Sequence, residues 1–456
     1  MVKETTFQAK SHVTKLSEFL AVSGSDRPEP VLRLLFQPFT KLFSVLAVLG
    51  LVVLGLFSYY VWLVMSDNLG TFHNTTDLAD LDGDGDLDVI LHNVRTESEF
   101  TAFGGATLWF NQDDGQFVAV KATGRPGEGG GWASAAGDVD RDGDGDLFVF
   151  SGWLGLRLIL NQGGTQGGRT GEFRVNNVVG APEKLQFGQF GSVLLGDLND
   201  DGQVDGIVVG CCGRAWTLDP DDDTPNISWV WINEWSSRGG LAPPYNTSII
   251  SALEGLAMRA AALGDLDGDG DLDLFTAVIA PRQGRNRDPA DRVLFNDGSG
   301  NFTDSGQRLG ETDSTAVALG DLDGDGDLDA LVGTGMGSVV WINQGETQGG
   351  QNGAFALSGQ KISGGQTTAV FLSDLDGDGD LDALVGGRRQ ATIWWNDGQA
   401  AFTQSSQRFR YSKKHGLAIG DFNSDGQPDI FAGAHSEAYS VWFNQGDGTF
   451  RAGSRP

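Results

Sequence analysis

Cysteine is almost absent: the sequence has two, Cys211 and Cys212, and they are adjacent. Neighbouring residues cannot staple distant segments, so no disulfide framework holds this chain together. They form either a vicinal disulfide or, more simply, two thiols at the end of a strand. Basic residues are scarce as well, 31 Lys and Arg against 61 Asp and Glu, for a formal net charge of -30. Such a balance argues against nucleic acid as a partner. Histidine is limited to His12, His73, His92, His415 and His435, with no spaced metal-binding or nucleophile motif. No G-x-S-x-G, H-E-x-x-H or phosphate loop is present. These absences point away from an enzyme.

Charge is missing from one long stretch. Residues 42–65 read LFSVLAVLGLVVLGLFSYYVWLVM, 24 residues without a charged side chain. At 1.5 Å per residue such a helix spans a bilayer core of about 30 Å. Tyr59, Tyr60 and Trp62 sit near its outer end, as in an interfacial aromatic belt. A cleaved signal peptide would have a shorter apolar region nearer the N-terminus. The preceding flank carries Lys3, Lys10, Lys15, Arg27, Arg33 and Lys41, whereas residues 66–88 carry no Lys or Arg. The positive-inside rule then places 1–41 in the cytoplasm as a short N-terminal segment, 42–65 as a single-pass transmembrane helix, and 66–456 outside the cell membrane.

The acids are patterned. Roughly half of them fall in seven loops of the form D-x-[DN]-x-D-G-x-x-D, beginning at Asp80, Asp138, Asp197, Asp265, Asp321, Asp374 and Asp421. The repeat spacing, 47 to 68 residues, suits a four-stranded blade with variable loops. An apolar alternation such as Thr315–Gly320 leads into each loop, and an apolar run such as Ala330–Gly333 leaves it. A third segment ends in W-x-N or a variant: Trp109–Asn111, Ile159–Asn161, Trp231–Asn233, Leu294–Asn296, Trp341–Asn343, Trp395–Asn396 and Trp442–Asn444. A Gly-rich turn then leads to Phe117, Phe173, Phe302, Phe355, Phe402 or Phe450. Short β-branched and aromatic runs between Gly, Asp and Asn clusters read as strands. Four strands repeated seven times predict an all-β, seven-bladed β-propeller, which protects its sheet edges by radial repetition. The aromatics recurring once per blade read as inter-blade packing. The third unit is irregular between Cys211 and Met258, and its outer strand has no clear place.

Carboxylates at positions 1, 3, 5 and 9 of a tight loop can converge on one point. Ca²⁺, a hard cation taking 6–8 oxygen ligands, suits that donor set better than Mg²⁺, which retains more water. Glycine at position 6 allows the required positive φ. The ligand sets are Asp80, Asp82, Asp84, Asp88; Asp138, Asp140, Asp142, Asp146; Asp265, Asp267, Asp269, Asp273; Asp321, Asp323, Asp325, Asp329; and Asp374, Asp376, Asp378, Asp382. Loops three and seven have Asn at position 3: Asp197, Asn199, Asp201, Asp205 and Asp421, Asn423, Asp425, Asp429. An EF-hand would need Glu at position 12, where these loops have Leu91, Val149, Val208, Thr276, Val332, Val385 and Ala432. A plain Asp-Gly turn needs one acid rather than four at fixed offsets. Up to seven structural Ca²⁺ ions are therefore expected, enough to cancel about half of the net charge.

With these loops and the Gly-Asp pairs that open five of them (Gly137, Gly196, Gly264, Gly320, Gly420), the chain resembles the FG-GAP or VCBS-type repeats of integrin α-subunit propellers and bacterial surface proteins. The resemblance runs from about Thr71 to Phe450. Ala79 and Ser373 replace the leading Gly of loops one and six, and the FG and GAP signatures are degenerate. It implies a metal-stapled propeller; the class includes adhesion receptors, lectins and enzyme-attached modules.

Metal loops in the first turn of each blade leave the opposite face to the longer connections, about 92–106, 211–228 and 281–292, and variable loops on a rigid frame are where ligands bind. Arg282, Arg285, Arg287, Arg292, Arg388, Arg389, Arg408, Arg410, Lys413, Lys414 and His415 predict a basic patch there over blades four, six and seven. The function expected is a membrane-anchored, extracytoplasmic binding or adhesion module for an anionic glycan or protein ligand. The alternatives are a propeller-based polysaccharide lyase or hydrolase, and a scaffold of a membrane complex.

Overall fold

The computed structural model describes residues 76–92, 106–112, 115–120, 131–151, 155–162, 173–177, 189–211, 227–234, 246–279, 288–345, 350–362, 365–411, 415–434 and 439–453. All belong to the compact unit Thr71–Pro456. The segments 1–41 and 42–65 lie outside the described residues, and no helix among those described is long and apolar enough to cross a membrane.

The described residues form seven antiparallel sheets, each from one continuous stretch of chain. Blade one holds β1 (Thr76–Ala79), β2 (Asp88–His92), β3 (Ala106–Asn111) and β4 (Phe117–Val120). Blade two holds β5 (Gly131–Gly137), β6 (Asp146–Ser151), β7 (Gly155–Asn161) and β8 (Phe173–Asn177). Blade three holds β9 (Gln189–Gly196), β10 (Asp205–Cys211), β11 (Trp229–Ile232) and β12 (Asn246–Ile249). Blade four holds β13 (Ala257–Gly264), β14 (Asp273–Ile279), β15 (Arg292–Asn296) and β16 (Phe302–Asp304). Blade five holds β17 (Ser314–Gly320), β18 (Asp329–Thr334), β19 (Gly337–Asn343) and β20 (Phe355–Ile362). Blade six holds β21 (Ala369–Ser373), β22 (Asp382–Gly386), β23 (Gln390–Trp395), β24 (Thr403–Gln404) and β25 (Phe409–Arg410). Blade seven holds β26 (His415–Gly420), β27 (Asp429–Ala434), β28 (Tyr439–Asn444) and β29 (Phe450–Ala452). The innermost strands touch in the order β1, β5, β9, β13, β17, β21, β26 and back to β1, which closes a seven-bladed propeller.

Among the described residues there is no single central core. Seven apolar wedges fill the joints between neighbouring blades, one per joint. The second strand of each blade is apolar at nearly every position because it serves two wedges, its side chains alternating between faces. In β2, Val89 and Leu91 enter the wedge with blade seven while Ile90 enters the wedge with blade two. Trp109, Trp231 and Trp341 are buried in wedges, as the sequence predicted. The glycine ahead of an aspartate-rich loop is needed for close approach: a Cβ on Gly264 would lie 2.7 Å from Leu328 Cδ1 of the next blade.

A second joint runs along the outer edge, and it was not legible beforehand. Gln307 just past β16, Gln360 on β20 and Gln407 between β24 and β25 each reach the next blade. Their Oε1 atoms accept the N–H of Phe355, Phe402 and Phe450, at 2.8, 2.9 and 3.1 Å. Their Nε2 atoms donate to the carbonyls of Gly353, Phe402 and Gly448, each at 2.6 Å. In these three blades the recurring Phe, which begins or borders an outer strand, gives its backbone N–H to this joint. In blade three no such Phe exists, and β12 of the inserted segment pairs with β11 instead.

At the seam, blade one comes entirely from the N-terminal side and blade seven from the C-terminal side. Among the described residues, side-chain contacts close it. Trp109 stacks edge-on to Tyr439 at 5.3 Å, Phe117 to Phe431 at 4.8 Å, and the Tyr439 hydroxyl accepts the Phe117 N–H at 3.1 Å.

Candidate metal centres

Each loop joins the first two strands of its blade. Position 6 has positive φ in all seven, from 76° at Gly202 to 100° at Gly379. Position 4 is left-handed too, and three loops put a non-glycine there: Arg141 at 62°, Asp200 at 54° and Ser424 at 57°. The loop's own amides organise its carboxylates. Position 1 accepts the N–H of position 6 at 2.7–3.1 Å, and position 5 accepts that of position 7 at 2.8–3.1 Å.

These turns gather acids tightly. Ligand oxygens lie within 4.8 Å of one another in Asp80, Asp82 and Asp88; Asp138, Asp140 and Asp146; Asp265, Asp267 and Asp269; Asp321, Asp323 and Asp325; and Asp374, Asp376 and Asp382. Each of these five clusters could hold a metal ion. Loops three and seven, with Asn199 and Asn423, form no such all-carboxylate cluster among the described residues. Asp82 Oδ1, Asp142 Oδ2 and Asp267 Oδ1 are buried and accept no hydrogen bond. Buried oxygens without a donor are costly, and a metal ion held by these clusters could supply a partner.

Position 9 has a second role. Asp88 is fully buried; its Oδ2 accepts the N–H of Leu81 and its Oδ1 that of Asn111, both at 2.8 Å. The same pair of bonds recurs at Asp146, Asp205, Asp273, Asp329, Asp382 and Asp429, at 2.7–3.2 Å. The asparagine that closes W-x-N continues the chain of contacts. Its Nδ2 donates to the position-2 carbonyl in the loop of the preceding blade: Asn161 to Leu81, Asn233 to Val139, Asn296 to Leu198, Asn343 to Leu266, Asn396 to Leu322 and Asn444 to Leu375. Asn111 reaches Phe422 at 2.9 Å and carries the pattern across the seam. Every loop is thus held by two asparagines, one from its own blade and one from the next. The sequence showed the asparagine's recurrence but not its partners.

Burial raises the carboxyl pKa values. Burial, opposed by the two backbone amides and aided by neighbouring carboxylates, pushes Asp146 up to about 8, Asp88, Asp329 and Asp382 to about 7, and Asp205, Asp273 and Asp429 to about 6. Asp140 rises to about 6, through burial first and then the charges of Asp142 and Asp138.

The profile of the FG-GAP-like repeat matches at 80–149, 265–332, 321–385 and 374–432, together a little over half of the chain. The chain belongs to the FG-GAP-like repeat family. Each matched FG-GAP segment runs from position 1 of one loop to position 12 of the following loop, so the repeating unit spans a blade joint. Loop three is the one loop outside the matches. Comparison with curated proteins gave no sequence match. Similar solved structures include an Agrocybe aegerita lectin that recognises non-reducing terminal N-acetylglucosamine, 18% identical over 84% of this chain and 80% of that one, with a TM-score of 0.36. Another is a periplasmic gluconolactonase of Pseudomonas aeruginosa, 14% identical over 74% and 86%, with a TM-score of 0.44. Neither likeness carries weight for function.

Of the expected basic patch, Arg282, Arg285, Arg287, Lys413 and Lys414 lie outside the described residues, as do most of the long connections. Arg292 does not belong to the basic patch. It begins β15, is 4% exposed, and its Nη2 pairs with Asp288 Oδ2 at 2.8 Å. Arg388, Arg389, Arg408 and Arg410 are exposed as expected.

Proposed function

We propose that the FG-GAP loops hold Ca²⁺ and that the protein is a calcium-stapled propeller serving as an extracytoplasmic binding module, carried at the membrane by residues 42–65. The buried, donor-less oxygens of Asp82 and Asp267 inside tight carboxylate clusters carry this reading. Three or four carboxylates per loop suit Ca²⁺, whose coordination is flexible, better than octahedral Mg²⁺. The metal's role is structural: position 9 is shared between the cluster and the asparagine clip, so the ion steadies the blade joints. The ligand, a glycan or protein rather than nucleic acid, meets the face opposite the loops.

Equilibrium dialysis of the full chain against radioactive calcium tests the metal assignment. Five sites should fill ahead of the two that contain Asn199 and Asn423. Asp323→Asn should move one site from the tighter class to the weaker. Failure to retain calcium, or seven equivalent sites unaffected by that change, would overturn the assignment.

The raised pKa values add a pH dependence with a definite sign. These carboxyls hold protons more tightly folded than unfolded. Their stabilisation of the metal-free protein is therefore complete below the ordinary carboxylate range and is lost as pH rises through about 6–8. Calcium binds the ionised form, so its contribution grows through the same window. The melting temperature in EDTA should fall from pH 5 to pH 8, and the gap between calcium and EDTA should widen. A gap that does not change with pH would contradict this.

A further inference from the structure

We infer that the rim between blades five and six, on the face away from the metal loops, binds a linear carboxylated polysaccharide through Arg388, Arg389, Arg408 and Arg410. The inference rests on the reading of the propeller as a binding module and gives that module a ligand class and a place.

Blade six is built differently from its neighbours. Among the described residues its sheet alone has five strands, because the outer strand breaks after Gln404 and resumes as β25. There Arg410 lies opposite Gln390, and Phe409 opposite Ala391. Side chains alternate along a strand. Phe409 is 2% exposed and packs edge-on against Trp442 and Phe450 of blade seven, at 5.5 and 5.4 Å. Arg410, the neighbour of Phe409 in β25, therefore points the other way, toward blade five, and both Arg408 and Arg410 are exposed.

The adjoining turn from β22 to β23 carries Arg388 and Arg389 at the same end of the sheet. It is held rigidly. The Tyr411 N–H donates to the Arg389 carbonyl at 3.0 Å, and the Tyr411 hydroxyl donates to that of Gly387 at 2.7 Å. Arg388 Nε donates to Gln366 Oε1 at 2.7 Å, and Arg408 Nη1 donates to the carbonyls of Ser405 and Gln407. Four guanidinium groups are thus presented on fixed backbone. From Gly386 to Tyr411 the chain has one acid, Asp397, which follows β23 at the metal-loop end.

Guanidinium forks match carboxylates in a bidentate geometry. An exposed rim suits an extended polymer, and four positive groups on a chain of net charge -30 suit one with widely spaced charges. Duplex nucleic acid carries a charge about every 1.7 Å, and the rest of the protein would repel it.

The test is binding of the full chain, in millimolar calcium, to immobilised hyaluronan, with neutral dextran and duplex DNA as parallel arms. Hyaluronan should be retained and dextran not. Reversing Arg388, Arg389, Arg408 and Arg410 to Glu should weaken hyaluronan binding at least tenfold. Changing the same four to Lys, which keeps the charge and removes the forks, should give an intermediate loss. Equal binding by the Glu variant, or tighter binding to DNA than to hyaluronan, would overturn the inference. Each variant's calcium-dependent rise in melting temperature separates the two readings. A normal rise without hyaluronan binding sinks only the rim, whereas no rise in the unaltered chain sinks the calcium assignment.

Discussion

Excess EDTA added to the calcium-loaded protein should lower its melting temperature by on the order of 10 °C or more. A site filled at about ten times its dissociation constant contributes about 1.4 kcal/mol by mass action. Seven such sites sum to about 10 kcal/mol, the scale of a whole domain's stability. Removing the ions also returns the mutual repulsion of carboxylates within 4.8 Å of one another. Extracellular calcium occupies sites with dissociation constants as weak as about 10⁻⁴–10⁻³ M, so the loops need not be tight to matter. Differential scanning calorimetry in EDTA and after adding calcium back measures the effect. An unchanged melt would show that the loops hold their shape without a cation.

The second large effect separates the ligand role of an aspartate from its architectural one. Asp329→Ala removes the acceptor of two buried backbone amides, those of Leu322 and Asn343, at 2.9 and 2.8 Å. Each amide left unpaired costs about 1–3 kcal/mol. Urea denaturation in EDTA should therefore show a loss of about 3 kcal/mol or more. Asp325→Ala removes a carboxylate whose bond is to the amide of Asp327, within a half-exposed loop. In EDTA it should cost well under half as much, and in calcium the two losses should converge. Equal losses in EDTA would mean that position 9 acts only as a metal ligand.

Why the blades were legible and their joints were not follows from what each depends on. The loops are local: a fixed offset of carboxylates and one glycine with positive φ can be read from nine consecutive residues. The strands alternate in pattern and so announced themselves, down to the position-12 residues that rule out an EF-hand and lie buried in second strands. The asparagine clip joins atoms far apart in the chain, 311 residues in the case of Asn111 and Phe422. Recurrence marked that asparagine as important without saying what it touches. Gln307, Gln360 and Gln407 gave a fainter signal, a shared position after a serine two residues earlier in three blades. Arg292 misled for a related reason. Its place between a loop and a strand is visible in sequence, but its pairing with Asp288 and its burial are properties of the fold.

The asparagine clips all run in the same direction, each blade grasping the one before it, and the clip from Asn111 to Phe422 is no different from the rest. A ring of like couplings has no structurally privileged first member. Gene rearrangements that move a whole blade, or that join the old ends and open new ones between two other blades, preserve every coupling of this kind. The architecture is therefore open to shuffling in units of a blade.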